Sequence, residues 1–169
     1  FDEIIEIGAV KTDEEYRQID GFRRLIRPVI YRKMNPYIQK ILAITMKDLQ
    51  GEEPLAAVAK VFFDWCGDCD TLIAWSGNDF GVLEKNLAHI GMKIPEQLGR
   101  YDVQMAYAYR TENSIRNYAL KTAVEAMELP EPEGQEYHDA YCDAQFTAAI
   151  GRALTERYGP LPAVEELQA

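Results

Sequence analysis

A short apolar segment that turns directly into an amphipathic one constrains the fold most. Residues Thr71–Trp75 (TLIAW) are typical of a buried strand, and the following Ser76–Asn78 segment (SGN) breaks it. Over Asp79–His89 the apolar positions recur three and four residues apart, which is the spacing of a helix. A strand joined to a helix by so short a break is a unit of layered α/β folds, so the segment predicts a sheet covered by helices.

The remaining segments supply the other layers. Glu3–Val10 and Gly21–Pro28 are predicted to be strands that form a hairpin around the polar loop Lys11–Gln18. Helices are predicted over Pro36–Leu42, Thr45–Leu49 (with Thr45 as N-cap), Pro54–Cys66, Val103–Tyr109, Tyr118–Met127 and Asp139–Tyr158. A further strand is predicted to end at Tyr101–Val103, and Pro130–Gly134 is predicted to be a loop. Strands first, then alternation, then helices predict an α/β layer fold with a mixed sheet. Residues 1–159 are predicted to form one domain, and residues 160–169 a loosely held tail.

The charge balance restricts the kind of partner. The chain has 18 Lys and Arg against 28 Asp and Glu, a formal net charge of −10. Because proteins that grip long nucleic acids usually present a basic surface, this balance argues against a surface that coats nucleic acid. It leaves open a small pocket in which metal ions neutralise carboxylates and phosphates together. Five basic residues within eleven positions are either a solvated strand and loop or a strip that contacts a phosphate backbone: Arg23, Arg24, Arg27, Arg32 and Lys33.

The cysteines and apolar runs bear on location. Three cysteines, an odd number, suit a reducing compartment better than a disulfide framework, so we predict a cytoplasmic protein. The apolar runs are all shorter than the roughly 18–20 residues that a membrane helix needs. Residues Trp65–Cys69 (WCGDC) have the spacing of a thioredoxin redox motif, but they follow a helix and precede a strand, the reverse of that motif's context. A packed turn is therefore favoured over a redox or zinc site.

Asp79 is the first candidate site residue. It stands where a strand's carboxyl end turns into a helix, the edge at which ligands bind in open α/β sheets. The alternative is that Asn78 or Asp79 only caps the helix, since both residue types are good N-caps.

His138 and Asp143 are the second candidate pair. They are five positions apart, about 140° around an ideal helix if 3.6 residues make a turn, so they would not share a helix face. They converge if His138 lies just before the helix and Asp139 caps it, a placement that the preceding loop favours. Asp139 and Asp143, four apart, would share a face, which makes Asp139 a weaker candidate ligand; an ordinary surface Asp143 remains an alternative.

Together these motifs resemble the DEDDh (DnaQ-like) 3′→5′ exonuclease family in order, separation and flanks. Asp79 after a strand resembles the family's second motif, and His138 followed by four residues and Asp143–Ala144 resembles its third. The resemblance covers nearly the whole chain, through EIIEIGAV (Glu3–Val10), NPYIQKILAITMKDL (Asn35–Leu49), YDVQMAYAY (Tyr101–Tyr109) and NYALKTAVEAMEL (Asn117–Leu129). It implies an RNase H-like three-layer fold, with a central mixed β-sheet flanked by helices.

The resemblance also implies an activity. It implies hydrolysis of phosphodiester bonds at single-stranded RNA or DNA 3′ ends, with release of nucleoside 5′-monophosphates and two divalent ions (Mg²⁺ or Mn²⁺) as cofactors. Asp143 and Asp79 would be metal ligands, and His138 would be the general base. Carboxylates suit hard divalent ions, and a histidine with an ordinary pKa near 6.5 can take a proton from water at neutral pH.

One departure from the family pattern stands out. The family's first motif, Asp-x-Glu on a central strand, lies upstream of the segment that resembles Glu3–Val10, and the chain as given begins at that segment. Asp13-x-Glu15 has the spacing but falls in the predicted loop, so we do not accept it as a substitute. We expect that an N-terminal piece precedes these residues and that the 169 residues alone are inactive. The alternative is a catalytically inactive nuclease-like module that binds nucleic-acid ends or a protein partner.

Overall fold

Four short strands and eight helices make up the part of the chain that is described, residues 1–112, 118–131 and 138–169 of a computed structural model. The strands are β1 (Glu6–Thr12), β2 (Gln18–Leu25), β3 (Thr71–Ala74) and β4 (Gly99–Asp102). The helices are α1 (Pro36–Leu42), α2 (Met46–Leu49), α3 (Leu55–Cys66), α4 (Gly77–His89), α5 (Val103–Glu112), α6 (Leu120–Ala126), α7 (Ala140–Tyr158) and α8 (Val164–Gln168). None of these helices is long and apolar enough to cross a membrane.

β1 and β2 form the predicted antiparallel hairpin, with Glu6 opposite Leu25 and Val10 opposite Gly21. The predicted polar loop Lys11–Gln18 is too long, because Lys11 and Thr12 extend β1 and Gln18 begins β2. The turn between them is closed by Asp13, whose Oδ1 accepts hydrogen bonds from the backbone N–H groups of Glu15 and Arg17, both at 2.9 Å. Strands pair through backbone hydrogen bonds, which do not require apolar side chains. The polar residues at these strand ends were therefore assigned to the loop.

β3 and β4 pair in parallel, with Thr71 opposite Gly99 and Ala74 opposite Asp102. This register brings the carboxyl ends of both strands to one edge, where ligands bind in α/β sheets. Among the described residues, no hydrogen-bonded strand joins this pair to the hairpin, so the strands form two separate two-stranded sheets, one antiparallel and one parallel. The mixed strand directions match the prediction.

The buried side chains form two clusters. One lies among β2, α3, α4 and the segment after α4, and the other lies among α5, α6, α7 and α8. In α3 the buried positions Leu55, Val58, Ala59, Phe62 and Cys66 recur at helical spacing, which is why this helix buries one face. Fully burying a large apolar side chain contributes roughly 1.5–3 kcal/mol, so both clusters hold their helices firmly.

The C-terminal segment corrects one prediction. Residues 160–169 are not loosely held, because α8 places Leu167, only 4% exposed, in the cluster of α5, α6 and α7. Two carbonyl groups in the proline-containing stretch before α8 are also bound: Tyr101 Oη donates to the Pro162 oxygen at 2.7 Å, and Arg110 donates to the Pro160 oxygen at 2.9 Å. Proline lacks an N–H group but keeps its carbonyl acceptor, so a proline-rich segment can still be anchored.

The other predicted helices are present with shifts of a few residues. Thr45 caps α2 as expected, in a capping box with Asp48. The third predicted helix begins at Leu55, with Pro54 at its N-cap position. The predicted loop Pro130–Gly134 falls partly outside the described residues, since residues 132–137 are not described.

Candidate active site

The first part of the site is the N-terminus of α4. Ser76, not Asn78 or Asp79, is the N-cap: its hydroxyl accepts a hydrogen bond from the Asn78 N–H at 3.2 Å. The capping alternative for Asp79 is therefore wrong. The sequence pattern put the helix start two residues too late, because it took Gly77 and Asn78 as breakers whereas they form the first turn. Asp79 lies in that first turn with its carboxylate free of any capping role.

Asp102 holds this junction in place and was not singled out from the sequence. Its Oδ2 accepts a hydrogen bond from the Gly77 N–H at 2.8 Å, and its Oδ1 accepts one from the Met105 N–H at 3.2 Å. One carboxylate thus ties the end of β4 to the first turns of both α4 and α5. The available signal was an Asp placed directly between a predicted strand and a predicted helix, a position at which Asp commonly caps.

The second part of the site is the N-terminus of α7. Asp139 is its N-cap, with the side chain accepting from the Cys142 N–H at 2.9 Å, and the Asp143 N–H donates to the Asp139 carbonyl at 2.9 Å. His138 stands just before this cap with φ of 74°, a left-handed conformation that is uncommon outside glycine. The placement that the sequence required for His138 and Asp143 to converge is therefore present.

A close approach between α7 and β1 positions this helix end. A Cβ atom added to Gly8 would stand 2.7 Å from the Cα of Tyr141, a separation that real Cβ atoms do not adopt. Only glycine at this point of β1 lets the first turn of α7 lie directly on the strand. The position of Asp143 in that turn therefore depends on the hairpin as well as on its own helix.

The carboxylate of Asp143 is in an environment that disfavours its charged form. Its Oδ1 is buried and has no hydrogen-bond partner in the described structure. Burial is the main reason that the pKa of Asp143 rises to about 6; the backbone N–H and the charge of His138 oppose this rise, and the charges of Asp139 and Asp79 add to it. The charge of Asp79 is among the causes that raise this pKa, so Asp79 lies within electrostatic reach of Asp143.

The pKa of Asp79 is also raised. Packing around its carboxyl group and then the negative charge of Asp102 raise its pKa, although the residue is exposed. The charged forms of Asp79 and Asp143 are thus both disfavoured. A cation bound between these two helix N-termini would stabilise both charged forms. An unpartnered buried oxygen on Asp143 is also what a metal ligand requires before the metal binds.

Asp139 is occupied in a different way. Its Oδ1 accepts from the α7 backbone, and its Oδ2 accepts from Arg23 at 2.7 Å. With both oxygens engaged, Asp139 acts as a cap and an ion-pair partner, and the structure does not favour it as a ligand.

The described residues do not make a complete metal cage. No group of three or more His, Cys, Asp or Glu side chains within them is arranged to hold a metal ion. Asp79 and Asp143 fit as two of the oxygen donors that a hard divalent ion prefers.

Comparison with known proteins decides the family. Residues 1–150 match the model of the RNase T family, described as Exonuclease. The chain belongs to this exonuclease family. No match to the exonuclease was found among curated protein sequences.

Solved structures show the same fold. The nuclease domain of 3'hExo, described as a DEDDh family member bound to rAMP, superimposes with a TM-score of 0.83 at 17% identity, over 95% of this chain and 84% of that one. Exonuclease X in complex with 5′ overhanging duplex DNA matches with a TM-score of 0.67 at 20% identity, over 97% of this chain and 88% of that one. E. coli Exonuclease I with a dT13 oligonucleotide matches at 0.68 and 16% identity, over 91% of this chain but only 37% of the longer relative. The predicted fold class and the DEDDh resemblance are confirmed.

The Cys66–Cys69 pair is a packed turn in this exonuclease, as the sequence context favoured. None of its three cysteines forms a disulfide in the described structure. The Cys69 N–H donates to the Cys66 carbonyl at 3.0 Å, and burial, followed by the neighbouring Cys69, raises the pKa of the Cys66 thiol to about 11. A redox-active cysteine needs a lowered pKa, so this pair is unsuited to thiol chemistry.

The basic cluster of the exonuclease is not one continuous strip. Arg23 on β2 contacts Glu6 and Asp139, whereas Arg24 lies 3.9 Å from Glu53. Arg27 and Arg32 line a groove of about 430 Å³ beside Tyr31. The five basic residues are therefore dispersed over β2 and the segment that follows it, and contact with a phosphate backbone stays a prediction.

Proposed function

We propose that this exonuclease removes nucleotides from single-stranded RNA or DNA 3′ ends in a reaction that depends on divalent metal ions, releasing nucleoside 5′-monophosphates. The observation that carries this proposal is the buried, unpartnered Oδ1 of Asp143, which lies beside His138 and is coupled electrostatically to Asp79. A carboxylate oxygen without a partner costs folding free energy, and a cation at this place would offset that cost.

Asp143 and Asp79 are the proposed metal ligands. Two Mg²⁺ or Mn²⁺ ions, when bound, activate water and stabilise the charge that develops on the leaving oxygen. The chain's own contribution is to hold both carboxylates at helix N-termini, with Ser76 and Asp139 satisfying the backbone N–H groups that the carboxylates would otherwise bind. Their oxygens consequently remain available as ligands.

His138 is the proposed general base. It is exposed, so its ring is accessible to water, and it sits directly before the helix that carries Asp143. Histidine's ordinary pKa near 6.5 allows it to accept the proton of an attacking water at neutral pH. The bond from its backbone N–H to the Asp143 carboxylate links the base to the ligand.

Nucleic-acid ends are the proposed substrates. Structural relatives are described with rAMP, with a dT13 oligonucleotide, and in 3′-end specific recognition of a histone mRNA stem-loop. A net charge of −10 suits a small site for a chain end better than a long binding surface.

We also propose a cytoplasmic location, which the reduced cysteines support and which cell fractionation would test.

The test is an end-labelling experiment. Full-length protein is incubated with Mn²⁺ and 5′-labelled single strands of one sequence, as RNA and as DNA; a ladder that shortens from the 3′ end is expected. Asp143→Asn should abolish it, whereas Asp68→Asn, which changes an exposed carboxylate outside the site, should leave it intact. Absence of metal-dependent shortening with both nucleic acids, or equal shortening by Asp143→Asn, would refute the proposal.

A binding module without activity is the second candidate. It is favoured by one observation, that the described residues hold no group of three metal-binding side chains. The same experiment separates the two, because a binding module retards the labelled strands in a gel and leaves their length unchanged.

A further inference from the structure

One guanidinium group connects three elements next to the site. Arg23 on β2 donates from Nε to Glu6 Oε1 at 3.1 Å and from Nη2 to Asp139 Oδ2 at 2.7 Å. Glu6 lies on β1, and Asp139 is the N-cap of α7. The hairpin is thereby bonded through side chains to the residue that begins the site helix.

The burial of Glu6 makes this bridge more than a surface contact. The Glu6 side chain is only 8% exposed, while those of Arg23 and Asp139 are 52% and 24% exposed. A buried carboxylate requires a partner, and the described cation bonded to it is Arg23. Burial raises the pKa of Glu6, Arg23 lowers it, and the charge of Asp139 raises it, so without that cation Glu6 and Asp139 would be two nearby negative charges that repel each other.

Asp139 transmits its position to both candidate functional residues. Its Oδ1 accepts from the Cys142 N–H and its carbonyl accepts from the Asp143 N–H, so it orients the first turn of α7. His138 precedes it directly in a left-handed backbone conformation, which persists only where surrounding contacts impose it.

We propose that Arg23, held by Glu6, is a positioning residue that fixes the N-cap Asp139 and, through it, the placement of His138 and Asp143. The catalytic consequence rests on the proposed function; the positioning itself does not. Within the described residues Arg23 is bonded to Glu6 and Asp139 and to neither candidate ligand, so we expect it to act through Asp139.

Arg24 supplies a matched control. It is the next residue on β2 and therefore points to the opposite face of the hairpin. It carries the same charge and is about as exposed, at 49% against 52%, but its ion-pair partner is Glu53 at 3.9 Å. A change at Arg24 reproduces the loss of charge without releasing Asp139.

The chain's two histidines, His89 and His138, allow a direct readout by NMR on the 169 residues. In Arg23→Ala the ring resonances of His138 should shift and broaden while those of His89 stay unchanged, and the amides of Asp139–Asp143 should exchange about ten-fold faster. Arg24→Ala should leave both histidines unchanged. Unaltered His138 resonances in Arg23→Ala, or equal changes in Arg24→Ala, would overturn the proposal.

Two further variants guard against unfolding. Arg23→Lys keeps the charge but cannot bridge two carboxylates with a fork, so an intermediate His138 shift is expected. Glu6→Gln removes the buried charge but keeps an acceptor for Arg23, and should retain much of the native signal. If Arg23→Lys is folded and shows native His138 resonances and native exchange, the bridge does not position the site.

A kinetic measurement on full-length protein completes the test. Arg23→Ala should lower kcat about 10–100-fold, because small misplacements of reacting groups have effects of this size, while KM for the oligonucleotide stays within about two-fold. Parallel changes in kcat and KM would oppose a positioning role. If wild-type protein has no nuclease activity, the proposed function fails, and the NMR result still decides the positioning of His138.

Discussion

The N-termini of α4 and α7 place a carboxylate of the same type in the first turn of a helix, yet they are built differently. At α4 the cap is Ser76, which bonds to a residue two positions away, and Asp79 is exposed. At α7 the cap is Asp139, which is tied to a strand 116 positions away, and Asp143 has a buried oxygen without a partner. One helix end is organised mainly by local sequence and the other mainly by tertiary contacts.

This difference suggests that the two helix ends contribute differently to stability and to activity. The α7 end stores unfavourable electrostatic free energy in Asp143, and the bridge from Arg23 holds it in place. The α4 end is held by Asp102 and carries Asp79, the more exposed of the two proposed ligands. We therefore expect substitution of Asp143 to have opposite effects on stability and activity, and substitutions at the α4 end to have weaker effects on activity.

Asp143→Asn should have the largest effect. In full-length protein, loss of a metal ligand should reduce metal-dependent cleavage by roughly 10⁴-fold, since bound metal contributes several kcal/mol to transition-state stabilisation. The same change should stabilise the metal-free chain at pH 7 by about 1–2 kcal/mol, a value reduced for partial solvent exposure, because asparagine has no charge to bury. Cleavage assays and urea denaturation measure the two effects.

The pH dependence gives Asp143→Asn an internal control. The folded-state pKa of about 6 lies above the ordinary Asp value of about 3.9, so the proton is held more tightly in the folded state. The favourable contribution of protonated Asp143 to the free energy of unfolding is fully present below about pH 4. It is lost as the pH rises through about 6. The gain from Asp143→Asn should vanish near pH 4, and an equal gain at both pH values would contradict this account. Asp79→Asn should give a smaller gain, because Asp79 is exposed.

His138→Ala should have the second-largest effect. Loss of a general base should lower kcat by about 10²–10³-fold. The unfolding free energy should change by less than about 0.5 kcal/mol, because the side chain is exposed. The pH–rate profile of the variant should lose its acidic limb; a profile like that of the wild type would show that another group takes the proton.

Asp102→Ala probes the steadier α4 end. Its two backbone donors, on Gly77 and Met105, would lose their acceptor, so the unfolding free energy should fall by about 1–3 kcal/mol. Activity should fall by roughly ten-fold, because Asp79 would be less firmly placed. Asp68→Ala, an exposed position, is the control, and equal denaturation midpoints for the two variants would mean that Asp102 does not hold the junction.

Ser76→Ala should have the smallest effect. Loss of a helix cap typically lowers the unfolding free energy by about 0.5–2 kcal/mol, and the 3.2 Å bond at Ser76 places this one at the low end. Cleavage should remain within about three-fold of wild type. A greater loss of activity than that caused by Asp102→Ala would reverse the contrast between the local cap and the tertiary tie at α4.

Local patterns determined much of this fold from the sequence. α1 matches its predicted bounds, and Thr45 caps α2, because proline, capping residues and helical spacing act over a few positions. The placement of His138 before an Asp139 cap was also predicted, since the geometry of a helix allows few ways for His138 and Asp143 to converge. The family followed from the order of such motifs.

Only the tertiary structure decided the contacts between distant residues. The bond from Asp102 to Gly77, the docking of Leu167 and the bridge from Arg23 to Asp139 join positions that no local pattern relates. The buried oxygen of Asp143 is of the same kind, because burial depends on what packs around a group. The sequence by itself thus determined which residues could act and on which elements they stand, whereas packing and long-range hydrogen bonds decided how Asp79, His138 and Asp143 are held and charged.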